Sequence, residues 1–247
     1  MKALRAMHIA FSTYSRVPLP PRAWDEAAAP FALCFFPFIG LTLGLAGALW
    51  LALARAWGLS PAIVGAVGAL LPLFVVGGIH LDGFMDTCDA RASCQSRERR
   101  LQILKDSHVG AFAVMGCCGN LLLRAALMPS VPPAAVVPVF VVSRALSALC
   151  CASLPPARAE GMLASLLGTG SRGAIRGSAG LFLAASALFW ALCLGVRALL
   201  PLAAAALAAL WFARMARRDF GGISGDLAGY LLEIEECAML LMLAILA

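Results

Sequence analysis

Asp82, Asp86 and Asp89 follow a run of apolar residues at intervals of four and three. On an α-helix, positions i, i+4 and i+7 lie within about 60° of one another, so the three carboxylates project from one face. Like charges placed so closely repel unless a positive partner joins them. A hard divalent cation meets that need: Mg²⁺ takes oxygen ligands, keeps part of its water and is completed by substrate phosphate oxygens. An all-oxygen ligand set favours Mg²⁺, or Mn²⁺, over zinc. The bland alternative is that these aspartates pair with Arg91, Arg97 or Arg99 at a solvated helix start.

Two further stretches carry phosphate-binding chemistry. In Lys105-Asp106-Ser107-His108-Val109-Gly110-Ala111, Lys105 supplies a point charge for phosphate. Ser107 is expected to cap the helix that follows, leaving backbone N–H groups to face an anion, and Gly110 permits close approach. In Gly221-Gly222-Ile223-Ser224-Gly225-Asp226, the glycines free backbone N–H groups for phosphate oxygens. Asp226 and Glu233 are seven apart and share a helix face. Glu233 lies two turns into an apolar segment, so it is expected to face the interior, toward a metal, a base role or an arginine such as Arg144.

The elements that position these residues read as membrane helices. The chain is 62% hydrophobic and 13% charged, with mean hydropathy +0.90, which points to a membrane bundle rather than a soluble domain. Windows 32–54, 61–79, 109–129, 134–154 and 227–247 reach the roughly 20 apolar residues a span needs, while 179–195 and 198–213 are short. The reading is all-α: one polytopic domain over 1–247 with about seven spans. Residues 1–30 are too polar for a cleaved signal and are expected to stay attached as a leader, with Ala3 to Phe11 patterned as a short amphipathic surface helix or else part of an ordered arm without membrane contact.

Seven spans with the N-terminus inside put 15 of the 19 Lys and Arg residues in the leader and in the internal loops 80–108, 155–178 and 214–226. That bias supports a cytoplasmic N-terminus and a site on the cytoplasmic side. The net charge of +6 then faces anionic lipid headgroups rather than nucleic acid. The nine cysteines form no Cys-x-x-Cys pair and read as small packing residues.

His80-Leu81-Asp82-Gly83, Asp86, Asp89-Ala90, the stretch Lys105 to Phe112 and Gly221 to Asp226 together resemble the cobalamin synthase family. Phe11-Ser12 and Arg16-Val17-Pro18-Leu19-Pro20 resemble that family's N-terminal signature, and Ser224 stands where threonine is usual. The resemblance implies an enzyme of the bacterial inner membrane that performs the last step of nucleotide-loop assembly. Phosphocobinamide would pass from adenosylcobinamide-GDP to α-ribazole or its 5′-phosphate, with GMP leaving and Mg²⁺ required. It implies Mg²⁺ on Asp82, Asp86 and Asp89, with Asp226 completing that site or a second one; phosphate contacts from Arg16, Lys105, Ser107, Gly110, Gly221, Gly222, Ser224 and Gly225; and Asp106, His80 or Glu233 as base. Expected partners are the two small-molecule substrates and membrane lipid, with self-association or association with other corrinoid enzymes. A CDP-alcohol phosphotransferase ranks second, because the chain lacks that family's Gly-x-x-x-Asp-x-x-x-Asp continuation. An ion-coupled transporter ranks third, for want of an inverted repeat.

Overall fold

The computed structural model describes residues 1–158, 161, 163, 166, 167 and 170–247, so the expected loop 155–178 lies partly outside the described residues. Among those residues the regular structure is helical, apart from one parallel bridge between Pro156 and Ile223. The helices are α1 (Lys2–Tyr14), α2 (Phe36–Ala56), α3 (Pro61–Val76), α4 (Ile79–Ala92) and α5 (Arg97–Ile103). They continue with α6 (Ala111–Leu127), α7 (Pro133–Ser153), α8 (Arg172–Leu194), α9 (Leu199–Met215) and α10 (Gly225–Ile245). Pro61 and Pro133 open their helices at the position where a missing N–H costs nothing.

By length and composition, four stretches can cross a membrane: Ala29–Ala56, Ala111–Ser130, Pro133–Ser153 and Arg172–Phe220. A fifth arises if α3 and α4 form one broken span. The sequence-based count of seven differs for identifiable reasons. Helix α3 has only 16 residues, α10 carries Glu233, Glu235 and Glu236, and Arg172–Phe220 is one helical stretch of 49 residues.

Two apolar cores lie at opposite ends of the bundle. One holds Tyr14, Phe36, Val76, Phe84, Ala148, Ile175, Phe212 and Leu227. The other holds Leu43, Leu51, Val64, Val136, Trp190, Ala205 and Leu240. Among the described residues α2, α3, α6, α7, α8, α9 and α10 each reach from one core to the other. Helices α8 and α9 therefore run in opposite senses, with the chain reversing at Gly195–Ala198. Trp190, at the far end of α8, donates to the Ala135 carbonyl at the start of α7 (2.9 Å).

Helices α1, α4 and α5 belong wholly to the first core's end, where the polar motifs gather. Gly77 and Gly78 make this possible: both are left-handed (φ 72° and 81°), and the chain bends by 103° between α3 and α4. Arg16 braces the elbow, its N–H donating to the Val75 carbonyl (2.8 Å) and its side chain lying over Gly77. The leader is helical one turn beyond its expected end, and it packs through Ala6, Ile9, Ala10 and Tyr14.

Candidate functional site

Helices α4 and α10 cross at backbone contact. A Cβ on Gly83 would stand 2.6 Å from Asp226 Cα, and one on Gly229 would stand 2.7 Å from the His80 carbonyl oxygen. Any larger residue at either position would push the helices apart, so the two glycines bring the acidic face of α4 to the first turn of α10. There the Asp86 carboxyl is pushed up to about 6, first by burial and then by the charges of Asp82, Asp226 and Asp89, with Arg158 opposing.

The bland pairing with neighbouring arginines does not occur. Arg91 donates to the Tyr230 hydroxyl (2.6 Å) and lies over the Trp211 ring. The Arg97 guanidinium covers Gly221, and Arg99 bonds Gln102 (2.9 Å). Among the described residues Asp82, Asp86, Asp89 and Asp226 take part in no ion pair.

Asp89 parts company with the other two. Its carboxylate accepts from the backbone N–H of Gly110 (2.6 Å) and of Ala113 (2.8 Å), so it caps α6 from a different helix. Gly110 is small to admit this carboxylate: a Cβ would stand 2.6 Å from it. Ser107, expected as the cap, is exposed and outside the helix, because Asp89 already occupies the N–H groups it was to serve. Asp89→Ala is therefore expected to cost about 1–2 kcal/mol of stability. Faster amide hydrogen exchange over 110–114, with α10 unaffected, is the measurement.

The rest of the second motif is exposed. Lys105, Asp106 and His108 are exposed, and Asp106 accepts from the His108 backbone N–H (3.0 Å) and meets its Nδ1 (2.6 Å). In the third motif Ser224 caps α10, its hydroxyl accepting from the Leu227 N–H (3.3 Å). The glycines there are less open than the sequence suggests. Gly221 is left-handed (φ 75°) beneath Arg97, and a Cβ on Gly222 would stand 2.2 Å from the Pro155 carbonyl oxygen. Only Gly225 faces open space.

Glu233 is elsewhere. It accepts from Arg124 (2.6 Å) rather than Arg144, in a buried network where Arg124 also bonds Glu236 (2.8 Å) and Asn120 (2.8 Å). Glu236 further accepts from Ser143 (2.9 Å) and Arg144. Seven residues of helix put Glu233 about 10 Å along the axis from Asp226.

His80, by contrast, borders the acidic group. It is 6% exposed, its Nε2 has no partner, and its ring stacks on Tyr14 (6.2 Å) with Phe36 edge-on (5.6 Å). Burial, then the Arg144 charge, holds the imidazole well below its ordinary value. It shares a cavity of about 90 Å³ with Tyr14, Asp82, Gly225 and Asp226. The leader thus reaches the site through Tyr14, which the amphipathic pattern could not foretell.

Among the described residues no three His, Cys, Asp or Glu side chains converge tightly enough to enclose an ion. The donors fit an ion that takes only part of its shell from protein, as Mg²⁺ does: unpaired carboxylates from two helices, with Asp86 held back from ionising by burial and then by its acidic neighbours. Asp89 fits least well, since both its oxygens already accept N–H bonds.

The chain matches a family described as cobalamin-5-phosphate synthase over residues 6–244. It is 33% identical to an adenosylcobinamide-GDP ribazoletransferase of Lachnoclostridium phytofermentans, across 99% of this chain and 94% of that one. A protein of the same description from Desulfitobacterium hafniense is 35% identical, across 98% of this chain and 97% of that one. Another from Deinococcus radiodurans is 35% identical, across 96% and 84%. No solved structure matches.

Proposed function

Because this chain belongs to the cobalamin-5-phosphate synthase family, we propose that Asp82, Asp86 and Asp226 hold Mg²⁺ against the diphosphate of adenosylcobinamide-GDP. The reaction is transfer of phosphocobinamide to a ribose hydroxyl of α-ribazole or α-ribazole 5′-phosphate. The hydroxyl oxygen bonds the cobinamide-linked phosphorus, the bond from that phosphorus to the bridging oxygen breaks, and GMP departs with that oxygen. The observation that carries this reading is that the acidic face of α4 lies against the first turn of α10, close enough for Asp82 and Asp226 to act on Asp86, with no ion-pair partner among the described residues. Mg²⁺ bound there would screen the phosphate oxygens from the incoming hydroxyl and stabilise charge on the leaving phosphate.

The protein's own groups do the rest. His80 accepts the hydroxyl proton through Nε2, the buried and unpartnered nitrogen beside Asp82 and Asp226. Glu233 is committed to Arg124, and Asp106 to His108, which leaves His80 as the better candidate. Gly225 admits phosphate through its backbone. The exposed charges of Lys105 and Arg16 add to the positive field that draws in the anionic substrate.

We place seven spans in the inner membrane, with the N-terminus and the site toward the cytoplasm, in one domain. Seven helices reaching between the two cores support the count, and the one-sided Lys and Arg distribution supports the orientation. The test is GMP release by the purified protein from adenosylcobinamide-GDP with α-ribazole. Turnover is expected with Mg²⁺ and not with excess chelator; full turnover under chelation would remove the metal from the reading.

A further inference from the structure

The acidic face of the site looks across at Arg158, a residue with no role in the scheme above. The strand-like segment Pro155–Ala157 is fixed beside the glycine loop: Ala157 N–H donates to the Ile223 carbonyl (2.8 Å), and Ile223 N–H donates to the Pro155 carbonyl (2.9 Å). Gly222 fits under the same carbonyl, so no side chain separates the two segments. Arg158 follows directly, and its Nη2 donates to the Leu101 carbonyl on α5 (2.9 Å). The backbone leading into Arg158 is thus fixed at one end of the side chain and one guanidinium nitrogen at the other. Its Nε is buried and has no partner.

The Arg158 charge acts on both Asp86 and Asp226, yet it forms an ion pair with neither. An untethered arginine beside unpaired carboxylates would close on them, since such forked pairs are among the strongest side-chain contacts. Here the tether holds it short, with a donor to spare. A diphosphate bound at the carboxylates through Mg²⁺ would offer its remaining oxygens to that donor.

We propose that Arg158 is a catalytic residue that binds the diphosphate opposite the carboxylates, donating to non-bridging oxygens of the phosphate that leaves as GMP. This rests on the transfer reaction proposed above. In that step the phosphorus–bridging oxygen bond breaks and its electron pair stays on GMP. Arg158 gives up no proton; it holds the charge that accumulates there, and its planar fork does so better than a lysine.

The test uses the full-length protein in lipid nanodiscs, with Arg158→Gln, Arg158→Lys and Arg158→Ala. Arg158→Gln is expected to lower kcat/KM for adenosylcobinamide-GDP by about 10²–10³-fold, leave the KM for α-ribazole within about twofold, and weaken GMP binding measured without turnover. Arg158→Lys should recover only part of the loss, and millimolar guanidinium should restore turnover to Arg158→Ala, which a purely structural residue would not allow. Unchanged GMP affinity and kcat/KM in Arg158→Gln, or full activity in Arg158→Lys, would overturn the assignment. Failure of the wild-type protein to release GMP would instead overturn the reaction, while the GMP-binding comparison still reads the arginine.

Discussion

Asp86→Asn is expected to lower GMP release by about 10³-fold at saturating Mg²⁺, because a lost metal ligand on a diphosphate removes several kcal/mol of transition-state stabilisation. The same substitution should leave the metal-free protein as stable as before, or more so. The Asp86 carboxyl titrates near 6 in the folded chain, above its ordinary 3.8, because burial and its acidic neighbours oppose its charge. An acid whose folded value is raised binds more protons folded than unfolded, so stability falls as pH rises from about 4 to about 6. Asparagine removes that charge and with it the loss. Turnover and stability therefore move in opposite directions, a pattern a merely misfolded variant would not give. The measurement is a thermal midpoint at pH 5 and pH 8 beside a GMP-release rate. Near-normal turnover in Asp86→Asn would sink the metal assignment.

Spacing along one helix made part of this site legible. Asp82 and Asp86 share a face of α4, as the four-residue interval requires, and that face meets Asp226. Asp89 shares the face too, but α6 begins beside it, and the N–H groups of Gly110 and Ala113 claim its carboxylate. Which helix starts beside which carboxylate is a tertiary fact that periodicity does not carry. The same limit explains Glu233. A glutamate deep in an apolar helix demands a partner, and the sequence offers two buried arginines. Only the packing of α6 against α10 selects Arg124 over Arg144.

The helices themselves were largely readable, because a bilayer imposes long apolar runs. The weak windows 179–195 and 198–213 proved to be ordinary helices, α8 starting seven residues earlier at Arg172. What composition could not convey was the elbow at Gly77 and Gly78. Two left-handed residues turn α4 across the bundle, so the helix bearing the site leaves the axis of the span before it. Arg158 had counted only as loop charge; its neighbours come from α5 and the far end of the chain.

Arg124→Leu is expected to cost about 3–5 kcal/mol of stability, because it strands carboxylates in an interior that cannot solvate them. Arg124 is 2% exposed and satisfies Glu233, Glu236 and Asn120 at once. Arg144 would remain for Glu236, but Glu233 would have no other cation among its bonded partners. Adding Glu233→Leu to Arg124→Leu should therefore recover part of the loss, since a buried ion pair replaced as a whole costs less than one broken in half. The thermal midpoint in nanodiscs reads both steps; equal midpoints for Arg124→Leu and the wild type would show that the network contributes nothing. Glu233→Gln separates this structural role from that of a base. Glutamine can still accept from Arg124, so below its melting transition the variant should keep the wild-type pH–rate profile, whereas removing a general base would abolish the limb that base controls.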